Sequence, residues 1–141
     1  MKRKPNVTYR YHHMGIPAST PRKGEHYSST FRMYTSGGEN PDGFRIQYHR
    51  FEPGSSLHSL IQSQPHVAFQ VDNLAAAIDG ETLLLGPYEP FPGFQVAMIE
   101  DDGIPIELIE TSLSDDEVFG EPKAQSVIYP EEVVPVGNPT K

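Results

Sequence analysis

Glycine and proline interrupt this chain too often for a helical bundle. There are 12 glycines and 14 prolines among 141 residues, where average usage would give about 17 of the two together. They separate short apolar runs, which is the pattern of many strands joined by tight turns. Strands are expected at residues 9–16, 31–36, 44–51 and 57–62, and again at 66–71, 83–85, 94–99 and 104–110. In the run 44–51, Phe44, Ile46 and Tyr48 alternate with Arg45, Gln47 and His49, as a half-buried strand requires. A poor helix is expected between residues 20 and 31, opened by Thr20-Pro21. A better one is expected over 73–79, with Asp72 as N-cap and Gly80 closing it. The order is strand, helix, three strands, and then the same order again. The fold class is therefore α+β, two βαβββ modules in tandem over about 9–62 and 66–112. Residues 1–8 form a polar arm. Residues 113–141 form an acidic, Pro-rich tail, opened by the capping-box pattern Ser114-Asp115-Asp116-Glu117 with a helical turn over 115–119. The tail beyond 121 is expected to run extended over the surface or to stay disordered.

Charge and composition narrow the function. Eleven Lys and Arg face nineteen Asp and Glu, a net charge of −8, which repels phosphate backbones and disfavours nucleic-acid binding. No run approaches the roughly 18 apolar residues of a membrane helix. The basic start Met1-Lys2-Arg3-Lys4-Pro5 precedes no apolar stretch of the kind a secretory signal carries, so the expected compartment is the cytoplasm. With no cysteine, disulfides, thiolate nucleophiles, iron–sulfur clusters and Cys-type zinc sites are excluded. Any transition-metal site must use His, Asp and Glu.

One carboxylate stands out. Glu107 sits inside Ile104-Pro105-Ile106-Glu107-Leu108-Ile109, on the strand face opposite Ile106 and Leu108. A carboxylate buried there needs a partner, and a metal ion is one. His13 and His66 lie on the first strands of the two modules. His58 and Glu107 lie on the expected fourth strands. Two modules about a pseudo-twofold axis would bring all four together. Strand alternation sends only one of His12 and His13 inward, and His12 is expected outside. Tyr11 lies two before His13 and is expected to share its face. Gln47 and Arg45 are candidates for hydrogen-bonding a substrate, His49 is expected to be solvated or to line the pocket, and Phe91-Pro92-Gly93-Phe94 is a candidate loop over the pocket mouth.

The runs His13-Met14-Gly15-Ile16-Pro17, Pro65-His66-Val67-Ala68-Phe69-Gln70-Val71-Asp72-Asn73-Leu74 and Ile104-Pro105-Ile106-Glu107-Leu108-Ile109-Glu110 resemble the vicinal oxygen chelate superfamily. Its members include glyoxalase I, methylmalonyl-CoA epimerase, bleomycin-resistance proteins and extradiol dioxygenases. The resemblance covers residues 9–112. It implies an open glyoxalase-like barrel around one divalent ion (Fe, Mn, Ni, Co or Zn), with ligands at His13, His66 and Glu107 and at His58 on strand four. Glu107 is then the catalytic candidate, with Tyr11 and Gln47 at the substrate. It also implies a homodimer.

Imidazoles and a carboxylate suit such ions. Open coordination positions would accept a small substrate with two neighbouring oxygens, activated by Lewis-acid chemistry of the lyase or isomerase type. The alternatives are a metal-free small-molecule binding protein of the bleomycin-resistance type and an Fe(II) dioxygenase.

Overall fold

The computed structural model describes residues 3–38, 43–114, 117–118 and 133–134. Part of the turn expected at 36–43, part of the helical turn at 115–119 and nearly all of the tail lie outside them. The second module forms as its sequence predicts: β5 (His66–Val71), α2 (Leu74–Ile78), β6 (Thr82–Phe91), β7 (Phe94–Asp101) and β8 (Ile104–Thr111). The N-cap of α2 is Asn73 rather than Asp72, its side chain accepting from the Ala76 N–H. Asp72 instead accepts from the Thr8 N–H at 3.0 Å, which ties down the N-terminal arm. The β7–β8 hairpin closes on Asp102-Gly103, at φ 54° and 83°. Two positive φ values there match the twist of the flanking strands.

The first module departs from expectation in two places. Its elements are β1 (Tyr9–Pro17), β2 (Glu25–Ser28), β3 (Met33–Gly37), β4 (Ile46–Phe51) and α1 (Ser59–Ser63). No helix forms between β1 and β2. Tyr27 and Phe31 are too sparse to make an apolar helical stripe, Pro21 interrupts the segment, and Gly24 turns it at φ 80°. The run 57–62 is not a strand. Leu57 and Ile61 are both buried, and a spacing of four fits one helical face as well as one strand face. His58 settles the choice by capping α1, its Nδ1 accepting from the Leu60 N–H at 3.1 Å. The true fourth strand of module one is therefore β4.

All strands join one curled sheet in the order β6-β7-β8-β5-β1-β4-β3-β2-β9, where β9 is Val133–Val134. β5 and β1 meet antiparallel at the centre, and each pairs in parallel with the fourth strand of its own module. This is the pseudo-twofold arrangement expected of a tandem repeat. Within the tail, β9 pairs with β2, so this part runs extended against the sheet edge. At its start, Ser114 and Glu117 exchange the two reciprocal bonds of a capping box, at 3.1 and 3.2 Å. Among the described residues no helix is long and apolar enough to cross a membrane.

Among the described residues, three apolar clusters hold the sheet. Leu108, Ile99 and Ala97 pack with Leu74 and Ala77 of α2 on the outer face. Phe91, Phe94 and Val96 pack with Ala68, Ile109 and Val118. Inside the curl, Phe31, Met33, Leu57 and Ile61 meet Met98. Full burial of each large side chain among them contributes roughly 1.5–3 kcal/mol. Module one also buries an ion pair. Glu25 is 2% exposed and accepts from Nε and Nη2 of Arg50 at 2.9 and 2.8 Å, while Arg50 lies 3.9 Å over the Tyr34 ring. Glu25→Ala would strand that guanidinium. The expected loss is about 3–5 kcal/mol, read as a lower denaturant midpoint; an unchanged midpoint would show that Arg50 finds water instead.

Candidate metal centre

The concave face of the sheet carries a small cavity of about 50 Å³. One wall is apolar, formed by Phe31, Met33, Leu57, Ile61 and Met98 among others; the other holds His13, His66, Glu107, Gln47 and His49. His13 comes from β1, His66 opens β5, and Glu107 sits at the middle of β8. One ligand atom from each of His13, His66 and Glu107 lies within 4.8 Å of the others. Nε2 of His66 is 3.2 Å from Oε1 of Glu107, and Nε2 of His13 is 3.7 Å from the same oxygen. The alternation that set Glu107 opposite Ile106 and Leu108 holds, since those two side with α2.

The electrostatics favour a cation. Burial drives His13 down to about 3 and, with His66 beside it, drives His49 down to about 3. Burial alone would raise Glu107, but the neighbouring His13 and His66 outweigh it, leaving the carboxyl at about 2. At neutral pH the site thus holds an ionised Glu107 carboxylate beside neutral His13 and His49 rings. Nε2 of His66 is buried and makes no hydrogen bond of good geometry despite its nearness to Glu107. A nitrogen aimed past the oxygen, beside a buried carboxylate and a second imidazole, is what ligands converging on a common ion would show. The donor set fits a divalent first-row ion.

These values fix a pH dependence for the ion-free protein. Unfolded histidine takes up its proton near pH 6.5, and folded His13 and His49 do so only near 3. The unfolded chain therefore binds more protons across that window, and folding stability falls as pH drops through it. The slope is about 1.4 kcal/mol per pH unit for each histidine kept neutral. Below about pH 4.5 Glu107 adds to the same trend, its folded value being the lower one. Urea midpoints at pH 7.5, 6 and 5 should fall steadily; equal midpoints would contradict buried neutral rings.

Not every candidate residue arrives at this site. His58 is exposed and occupied in capping α1, so it is not a fourth ligand in this fold. A β-bulge between Tyr11 and His13 breaks the alternation of β1, so His12 and His13 both turn inward, at 1% and 3% exposure. His12 is therefore inside, contrary to expectation. The same bulge turns Tyr11 out, to 42% exposure, with its hydroxyl donating to the Phe44 carbonyl at 2.7 Å; it does not line the cavity. Arg45 donates to the His12 carbonyl at 3.2 Å. Phe91 and Phe94 stack at 4.6 Å across the β6–β7 hairpin, and Phe94 lines the cavity.

Two residues gain importance. Ala68, two after His66, pairs with Glu107, and Gly15, two after His13, pairs with Gln47. Gln47 thus occupies in module one the place that Glu107 occupies in module two, and it is buried. His49 sets a buried Nε2 without a hydrogen bond at the cavity wall. Its Nδ1 is 3.0 Å from the Thr35 hydroxyl, and its ring stacks on His66 at 5.5 Å. Both follow from reading β4 as the fourth strand.

No family model and no curated protein matches the sequence. Among solved structures, the chain is similar to methylmalonyl-CoA epimerase from Mycobacterium tuberculosis, with a TM-score of 0.55 and 17% identity, over 80% of this chain and 94% of that one. That likeness, with the curled sheet built from two repeated four-stranded units, establishes the fold as a glyoxalase-like open barrel.

Proposed function

We propose that this chain is a divalent-metal-dependent enzyme of the vicinal oxygen chelate superfamily, of lyase or isomerase type, acting on a compact substrate with two neighbouring oxygens. The observation that carries the reading is the convergence of His13, His66 and Glu107 within 4.8 Å. Gln47, related to Glu107 by register and lining the same cavity, would offer the set a neutral amide oxygen. Bound there, the ion supplies Lewis-acid polarisation of both substrate oxygens. The chain's own residues do the rest. Glu107 supplies the single negative charge of the set. His49, held by Thr35, presents a hydrogen-bonding nitrogen to the substrate. The wall of Phe31, Met33, Leu57, Ile61 and Met98 receives a hydrocarbon end and excludes water, which strengthens every polar contact inside.

The test is exchange of the proton next to a carbonyl. Small hydroxyketones and 2-hydroxy acids are incubated in D2O with the protein loaded in turn with Zn, Mn, Co, Ni or Fe. Ion-dependent deuterium incorporation, absent in Glu107→Gln, is the expected result. Binding without ion and without exchange would instead favour a metal-free binding protein. Two histidines and one carboxylate also suit an Fe(II) dioxygenase; ion-dependent oxygen uptake with a catechol would favour that reading.

A further inference from the structure

We propose that His12 is a positioning residue for the metal centre: its Nδ1 accepts the Nδ1–H of His13 and thereby turns the Nε2 lone pair of His13 toward the ion site. The inference rests on the metal reading above.

The bulge in β1 seats two consecutive imidazoles inside the protein, with their Nδ1 atoms 2.8 Å apart. Two nitrogens at that distance share one proton. Two protons would set N–H against N–H, and none would set lone pair against lone pair. The proton can therefore sit on either ring, and the ion site decides which. The atom of His13 that faces Glu107 is Nε2. A neutral imidazole that gives its Nε2 lone pair to an ion must carry its proton on Nδ1. His12 is then the acceptor at Nδ1 and carries its own proton on Nε2.

The backbone that carries the acceptor is tied down, and its ring packs near an aromatic neighbour. Arg45 donates to the His12 carbonyl, and the His12 ring lies 6.0 Å from the Phe94 ring. The device belongs to one module only, because the residue before His66 is Pro65, which has no side-chain acceptor. An imidazole acceptor also adds no charge. Unlike a carboxylate in the same place, it leaves Glu107 as the single anion of the centre.

The experiment uses the full-length, tagless protein with ¹⁵N-labelled histidine, titrated with Zn2+. Long-range ¹H–¹⁵N spectra of the loaded protein should show His13 protonated at Nδ1 and His12 protonated at Nε2. His12→Leu, which removes the acceptor, should weaken Zn2+ binding about 10–100-fold in a chelator competition. His12→Asn, whose carbonyl oxygen reaches close to the Nδ1 position, should recover most of that loss. A Zn2+ form with His12 protonated at Nδ1, or an Asn variant as weak as the Leu variant, overturns the inference while leaving the metal centre standing. If His12→Leu does not fold, the spectrum and His12→Asn decide between these outcomes. A parent that takes up no Zn2+ overturns the metal reading and this inference with it.

Discussion

Gly15→Ala is expected to displace His66 and weaken ion binding at least tenfold. A Cβ on Gly15 would overlap Cε1 of the His66 ring and stand 2.6 Å from both ring nitrogens. Gly15 keeps an ordinary strand conformation, so the demand is for space and not for an unusual φ. The ring lies flat over the Gly15 Cα, and that is how an imidazole from β5 reaches across the central strand pair to the cavity. One added methyl therefore removes a ligand without touching it chemically. Forcing it in costs roughly 1–3 kcal/mol, which lowers the melting temperature by roughly 2–4 °C per kcal/mol in a chain of this size. Calorimetric melts and a Zn2+ titration check the two effects separately. A variant that binds the ion like the parent would show that His66 is not a ligand.

Glu107→Gln is expected to weaken ion binding by on the order of a hundredfold or more. Groups that merely support a ligand cost 10–100-fold when removed, and Glu107 is proposed as the ligand that carries the charge. The carboxamide keeps the shape and one oxygen but leaves the ion without a counter-charge in a buried site. The clearest readout is thermal stability with and without ion. At about a hundred times its dissociation constant, an ion stabilises the parent by about 2.7 kcal/mol, and the variant, which binds it a hundredfold or more weakly, should gain about 0.4 kcal/mol or less. An equal ion-dependent shift in both would remove Glu107 from the site.

Much of this centre was legible in the sequence, and the failures have local causes. Module two could be read element by element. The alternation of β5 and β8 is regular, Gly80 and Asp102-Gly103 mark the turns, and so His66 and Glu107 could be placed on their strands, the repeat and the family resemblance then setting them together. In module one the spacing of Leu57 and Ile61 was ambiguous between helix and strand. Choosing strand shifted the count by one element, which moved the fourth position from Gln47 to His58. The capping role of His58 was the available clue, since a polar side chain two residues before Leu60 can satisfy a free N–H at a helix start. The bulge in β1 was not legible. Nothing in Tyr11-His12-His13-Met14 signals an extra residue, and that bulge alone decides that Tyr11 faces out and His12 faces in.

The most direct test of a metal centre is the metal content of tagless protein purified without chelator, measured by mass spectrometry beside Glu107→Ala and His66→Ala. The account predicts close to one equivalent of a divalent first-row ion in the parent and its loss in both variants. A parent that holds no ion and takes up none from added Fe, Mn, Co, Ni or Zn would contradict it, and would leave this barrel as a binding protein whose histidines serve some other end.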